Sequence, residues 1–380
     1  MERVAQAVCV IDEKQLSSWK LIDVIRTRLY ALLDERPKSR TELDKRRQLA
    51  ADEYFSLILF SFLNPVLKTM RALCAASDFR RVQEEVCGRH VSMGSFSEAQ
   101  HLFDPSVLTE LLRNCAAEAL PVFGDVRVHN YVKELTAHDS TLLPALPRMA
   151  WALWMDEKNR AARLHLDFSV FDQMPTGWVI EPANKCERKV WDKQIKKGAF
   201  YVCDRYFGHD YTLLGRVARR GADFVVRLHN NANFEVLKSQ PLTQADINAN
   251  VVRDCTIRLG RDKKLRLFRL VEVQVANQQL LLLTNRLDIP AELVALIYRY
   301  RWQVELFFKW IKCVLQCRHW LAESPEGVAT QVYCALIVSV MLALWTGKRP
   351  SKRVMEALQL YWIGYVSADE LIAALKKSCK

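Results

Sequence analysis

From Lys14 to about Leu120 apolar residues recur at intervals of three and four, as in Trp19, Leu21, Ile25, Leu29 and Leu32 and again in Tyr54, Leu57, Leu59 and Phe62. That spacing follows one face of an α-helix and predicts an all-helical domain over residues 1–120. Ser95 to Glu98 reads as a capping box opening one short helix, and Asp104-Pro105 starts another. Short helices joined by tight turns suit groove binding.

After Pro121 the texture becomes strand-like, in Arg127-Val128 through Thr136-Ala137, Leu164 to Phe168, Trp178 to Ile180 and Ala199 to Cys203. A second β-rich block follows at about residues 221–285, with runs at Phe224 to Leu228, Cys255 to Leu259 and Leu265 to Val275, the last turning at Asn277 into Leu280 to Thr284. Pro290 then starts a long helix to about Leu315. Across the Glu323-Ser324-Pro325-Glu326-Gly327 turn lies an apolar helix, Val332 to Trp345, and residues 348–380 form an amphipathic helical tail. The expected fold class is α/β, with a catalytic-type core over residues 121–347.

Composition narrows the possibilities. With 380 residues, 50% of them hydrophobic and 26% charged, the chain is long enough for two or three domains and too apolar for wholesale disorder. The Val332 to Trp345 run is shorter than the roughly 20 residues of a membrane span. The 11 cysteines are scattered without a secretory signal and read as reduced thiols of a cytoplasmic protein. Cys313-x3-Cys317 with His319 lacks a second ligand pair for zinc. No repeat or Gly-rich phosphate loop supports a nucleotide-driven motor or a Rossmann enzyme. A formal charge of +12 favours an anionic partner such as nucleic acid.

The chemistry then has to sit on polar residues. Tyr298, Arg301, Glu305 and Lys312 stand at offsets 0, 3, 7 and 14 on the long helix, which at about 100° per residue fall within a sector of about 60°. One stripe thus carries a phenol, a guanidinium, a carboxylate and an ammonium, a set suited to a polyanion beside a metal. A solvated face with Arg301 paired to Glu305 would look the same in sequence. Two further carboxylates follow strand-like runs, Asp139 after Val132 to Ala137 and Asp204 after Phe200 to Cys203. Asp125, Asp156, Asp167 and Asp172 compete with Asp139.

Taken together, Tyr298-x2-Arg301-x3-Glu305-x6-Lys312, His138-Asp139-Ser140-Thr141, Val202-Cys203-Asp204-Arg205 and Leu283-Thr284-Asn285-Arg286 resemble the signature of the IS4 family of bacterial DDE transposases, the group of the Tn5 and Tn10 transposases. The resemblance covers about Phe96 to Gly347. It implies an RNase H-like fold with Asp139, Asp204 and Glu305 as the catalytic, metal-binding triad. The 101 residues between Asp204 and Glu305 leave room for the β-rich insertion of that family. One departure is Tyr206 before Phe207, where relatives often carry Gly after the Asp-Arg pair.

Three converging carboxylates repel unless cations neutralise them, and oxygen ligands suit Mg²⁺, two ions in this family, with Mn²⁺ as a substitute. The resemblance further implies that Tyr298, Arg301 and Lys312 hold phosphates of the element's end. Trp302 could stack on an unpaired base or sit in the core, and Arg227, in Val225-Val226-Arg227-Leu228, is a further DNA-binding candidate. Arg253, Arg258, Arg261, Lys263, Lys264, Arg266 and Arg269 in the insertion, with Lys189, Lys193, Lys196 and Lys197 before it, could track a backbone without reading sequence. The expectation is a transposase that binds double-stranded DNA at terminal inverted repeats, cuts it and joins the 3′-OH ends to target DNA, as a homodimer and without a membrane. A non-cutting DNA-binding descendant and a stand-alone nuclease are the alternatives.

Overall fold

The computed structural model describes residues 20–37, 49–154, 159–260, 267–317, 319–347 and 351–379. The sequence expectations at residues 14–19, at Asp156 and at Arg261, Lys263, Lys264 and Arg266 lie outside the described residues. The chain divides into two compact units, one built from Pro121–Thr141 and Arg163–Phe307, the other from the helices up to Leu120, Leu142–Ala162 and the chain from Phe308 onward. The chain passes from one unit to the other at Leu120/Pro121, within the 141–163 stretch and again after Phe307.

The second unit is helical. Its first helices are α1 (Lys20–Asp34), α2 (Ala51–Leu63), α3 (Met70–Ala76), α4 (Arg80–Val82, continued by a π turn to Cys87), α5 (Met93–Leu102) and α6 (Ser106–Ala116). Ser92, not Ser95, caps α5, its side chain accepting from Ser95 N, so the capping box expected at Ser95–Glu98 does not form. The late helices α13 (Pro325–Thr346), α14 (Lys352–Trp362) and α15 (Ala368–Cys379) complete it. α13 starts at Ser324, whose Oγ accepts from Gly327 N at 3.0 Å, with Pro325 in the first turn, and stops at Gly347 in the left-handed region. At 22 residues it is long and apolar enough to cross a bilayer, yet most of it is buried against α2, α5 and α6. It is a core helix. Trp151 Nε1 donating to the Glu323 carbonyl and Trp320 Nε1 donating to the Pro144 carbonyl fasten the 142–162 segment to the late part of the chain.

The first unit is built on a nine-stranded sheet in the order β3-β2-β1-β4-β5-β9-β8-β7-β6. Its strands are β1 (Leu135–Pro144), β2 (Ala161–Ser169), β3 (Met174–Pro182), β4 (Phe200–Cys203), β5 (Asp223–Arg227), β6 (Phe234–Ser239), β7 (Val251–Leu259), β8 (Leu267–Val275) and β9 (Gln278–Thr284). β1, β4 and β5 are parallel, and β9, β8, β7 and β6 continue as an antiparallel meander, the expected insertion. β6 was not expected, because its edge position leaves it exposed and its residues polar.

Four helices matter to the site. α8 (Glu187–Gln194) and α9 (Tyr211–Arg219) share one core with Tyr201, Cys203, Phe224 and Val226. α11 (Ala291–Tyr300) continues almost without interruption into α12 (Trp302–Lys309), and α11 packs on β4 and β5. The remaining two are short: α7 (Val126–His129), capped by Asp125, and α10 (Gln244–Asn248). The strand expected from Arg127 therefore begins only at Leu135, since the Asp125 side chain accepts from Arg127 N and turns that segment into a helix.

Candidate active site at the parallel strand ends

Leu135 pairs with Phe200 and Ala137 with Val202, an interval of 65 residues. Asp139 and Asp204 are separated by the same interval. Carried two residues onward, the register sets them level on neighbouring strands and on one face, because side chains alternate with period two. His138 and Cys203 fall on the other face, where His138 stacks on Trp191 at 5.4 Å and Cys203 joins the α8–α9 core. Asp139 thus lies within β1 and not beyond its end, as the sequence suggested; β1 runs on to Pro144, past the end of β4.

The competing aspartates have other work. Asp167 accepts from His138 Nδ1 at 2.7 Å in a buried pair, Asp172 accepts from Ser169 Oγ, and Asp125 caps α7. His165 is buried nearby, and burial lowers its pKa to about 3, so the ring is neutral.

On the carboxylate face, burial and then the Asp204 charge push Asp139 up to about 6, against the ordinary 3.8, with Ser140 N and Arg301 pulling the other way. Asp139 Oδ1 accepts from Ser140 N at 2.7 Å and Asp204 Oδ1 from Tyr206 N at 2.9 Å. Arg301 spans the next gap: Nη1 is 2.6 Å from Glu305 Oε1 and 3.7 Å from Asp139 Oδ2. Its side chain is only 13% exposed, and its guanidinium sits 5.7 Å from the Tyr298 ring centroid. Burial lowers its pKa, but Tyr298, Glu305 and Asp139 outweigh that and raise it. Arg301 is thus paired with Glu305 as a self-paired stripe would have it, but on a mostly buried and not a solvated face. Arg301 is a buried bridge between two carboxylates.

The expected stripe is only partly realised. Tyr298, Arg301 and Glu305 share a face, with one tightened turn at Arg301, whose N–H bonds back to Tyr298 O. Beyond Lys309 the helix opens into a π turn, Trp310–Val314, so the 100° rule fails before Lys312. Lys312 belongs to the second unit, where its Nζ donates to Leu142 O at 3.4 Å. Trp302 is 54% exposed, not a core residue. Arg227 ends β5 with its Nε buried and unbonded, close enough to lower the pKa of Tyr298, which burial raises.

Three of the arginines expected to track a DNA backbone have acidic partners within the sheet. Arg253 pairs with Glu272, Arg258 with Glu235, and Arg269 with Asp254 in a buried pair at 2.6 Å. Asn285 and Arg286 also act structurally: Asn285 bonds Phe224 N and Ala222 O, and Arg286 pairs with Asp223 and Asp288. Sequence reading missed Arg163 and Glu187, which pair with each other and bond Ser140 Oγ next to Asp139. Only the His138–Thr141 motif hinted at them.

Among the described residues no three His, Cys, Asp or Glu side chains close into a metal cage. Mg²⁺, however, is usually held by one or two carboxylates with waters and substrate phosphates. Two level, mutually repelling aspartates fit that open donor set. Cys317, by contrast, is buried with its thiol pushed up to about 12, unsuited to zinc. The described cysteines are free thiols.

The chain is 30% identical over 212 residues to a protein of Sinorhizobium fredii named as a transposase, covering 54% of this chain and 59% of that one. It is 27% identical to a Geobacillus stearothermophilus protein named as the transposase for insertion sequence element IS5377, over 56% of each chain. It is 24% identical to a Synechocystis protein named as the transposase for insertion sequence element IS4SA, over 68% of this chain and 72% of the other. The matches thus span somewhat over half the length of the first two relatives. The sequence profile of the transposase DDE domain matches residues 130–341, which hold both strand aspartates and the Arg301 helix. A match over more than half of its length, centred on the carboxylate face, makes this chain a member of the transposase DDE domain family.

Proposed function

We propose that the protein is an insertion-sequence transposase of the IS4 group, with an RNase H-like core, that cuts double-stranded DNA at its element's ends and joins the freed 3′-OH to target DNA. The observation that carries this reading is the level placement of Asp139 and Asp204, with Arg301 linking Asp139 to Glu305. Support for the core comes from the strand order 3-2-1-4-5 with β1, β4 and β5 parallel.

In this reading Asp139, Asp204 and Glu305 hold Mg²⁺, or Mn²⁺ in its place, which when bound supplies activation of the attacking oxygen and charge neutralisation at phosphorus. Tyr298 and Arg301 orient the scissile phosphate, Arg offering paired donors for its oxygens. Arg301 also keeps Glu305 and Asp139 from drifting apart. Lys312 and Trp302 are further contacts for the DNA, and two copies of the chain, one per end, make up the working assembly.

The test is cleavage of a duplex carrying the element's own end, with Mg²⁺ and without, by the wild type and by Asp204→Asn and Glu305→Gln. Binding should survive in both variants and cutting should vanish, since affinity comes mainly from basic residues. Cutting at wild-type rates by both variants would overturn the triad.

A further inference from the structure

At the end of β5, beside the carboxylate face, lies a cavity of about 500 Å³ lined by Arg205, Arg227, His229, Asn230, Asn231 and Gln278. Its volume is within the range of small-molecule sites, roughly 300–1,000 Å³. With Leu228, these residues give a mixed lining that carries two guanidiniums and no carboxylate. Neither Arg205 nor Arg227 has an acidic partner among the described residues. Arg253, Arg258, Arg269 and Arg286 in the same unit are each matched by a carboxylate. Arg227 Nε, moreover, is buried without a hydrogen-bond partner, an unfavourable state that a bound acceptor would relieve.

The pocket is rigidly built. The 3₁₀ turn Phe207–His209 presses on the end of β5 so closely that a Cβ on Gly208 would stand 2.2 Å from the Arg227 carbonyl oxygen. His229 Nε2 donates to the Arg205 carbonyl at 3.1 Å, and the His209 and His229 rings stack with centroids 3.3 Å apart. The backbones of Arg205, which follows β4 and Asp204, and of Arg227, which ends the parallel β5, are thereby fixed at one cavity.

We propose that this cavity is a phosphodiester subsite: Arg205 and Arg227 grip the non-bridging oxygens of one backbone phosphate, and the Asn230, Asn231 and Gln278 amides add neutral donors around it. The proposal rests on the nucleic-acid reading above and adds a second grip on the strand, apart from Tyr298 and Arg301. Bidentate guanidinium donors match phosphate geometry, and Arg227 brings a buried, unbonded Nε to it.

Methylphosphonate scanning tests it. Single neutral linkages are placed along an end duplex and along an unrelated target duplex, and binding is measured for the full-length wild type, Arg205→Gln and Asn231→Asp. At one position the neutral linkage should weaken wild-type binding about tenfold and leave Arg205→Gln binding unchanged. The salt slope of Arg205→Gln should fall by about 0.9, one phosphate's share. Asn231 is an exposed loop residue, so Asn231→Asp should fold normally and weaken binding by repelling that phosphate. Coupling seen on the end duplex names the end strand as occupant, and coupling on the unrelated duplex names the target strand. Additive losses at every position on both duplexes, or Asn231→Asp binding as the wild type does, would overturn the subsite. Coupling that persists while Asp204→Asn still cuts would sink the metal reading and spare the pocket; normal triad behaviour without coupling would do the reverse.

Discussion

Asp139 lies in β1 and Asp204 directly follows β4, the parallel neighbour of β1, and the Asp204 charge makes Asp139 harder to ionise. The consequence is a site whose carboxylates are held together by strand register and opposed by their own charge, with Arg301 the nearest compensating cation.

That opposition gives a pH dependence. The folded pKa of Asp139, about 6, lies above its ordinary 3.8, so its contribution to stability is complete below pH 3.8 and lost as pH rises through 6. Asp139→Asn should therefore be more stable than the wild type at pH 7.5, by on the order of 3 kcal/mol at about 1.4 kcal/mol per unit, and equal to it near pH 3.5. Urea melts at the two pH values check the sign. Mg²⁺ should raise the wild-type midpoint at pH 7.5 and leave Asp139→Asn nearly unmoved.

Arg301→Ala should do more than cost the few tenths of a kcal/mol expected of an exposed ion pair. Its side chain is largely buried between two carboxylates, so removal leaves Asp139 and Glu305 uncompensated. The expected loss is about 2–4 kcal/mol of stability, with cleavage reduced at least a hundredfold well below the melting temperature. Single-turnover cutting of a pre-bound duplex beside thermal unfolding separates the two effects; near-normal cutting would leave Arg301 a purely structural bridge.

Arg269 offers the opposite pattern. Its guanidinium is bonded to both oxygens of Asp254 and to the Leu287 and Ile289 carbonyls, just before α11. Arg269→Met should destabilise the protein by about 3–5 kcal/mol, because it strands a buried carboxylate. Asp254→Asn in the same chain should restore part of that. The salt slope of DNA binding should not change, and a slope reduced by one phosphate would show that Arg269 contacts the backbone after all.

Gly208→Ala should be costly although the residue is small. Its Cβ would collide with backbone, not with a movable side-chain end, so the 3₁₀ turn must lift off β5. A drop of about 2 kcal/mol or more in stability is expected, measured by denaturant unfolding. Unchanged stability would mean that the turn yields freely.

The helix stripe was legible because its period is local: Tyr298, Arg301 and Glu305 needed only 3.6 residues per turn. Lys312 escaped that logic when five residues adopted a π turn, a departure that no spacing announces. Asp139 looked like a strand end because His138, Asp139 and Ser140 are polar in a row. Their partners come from afar, Asp167 and Arg163 from β2 and Glu187 from α8, so the strand continues where the local pattern says stop. The arginines of the insertion showed their charge in the sequence, but the carboxylates that cancel it lie across strands. The close approach to β5 is made by Gly208, after the bulky Tyr206 and Phe207 that follow the Asp204-Arg205 pair.

The buried helix α13 sets a timetable for the chain's birth. α2, almost wholly apolar, leaves the ribosome about 260 residues before α13, the helix it packs on. At 5–20 residues per second, that is a wait of roughly ten to fifty seconds. Until then a greasy surface stands open, and a prematurely terminated chain never closes it. Such fragments should be sticky, chaperone-bound and quickly degraded, so that the cell accumulates only polypeptides translated to the end.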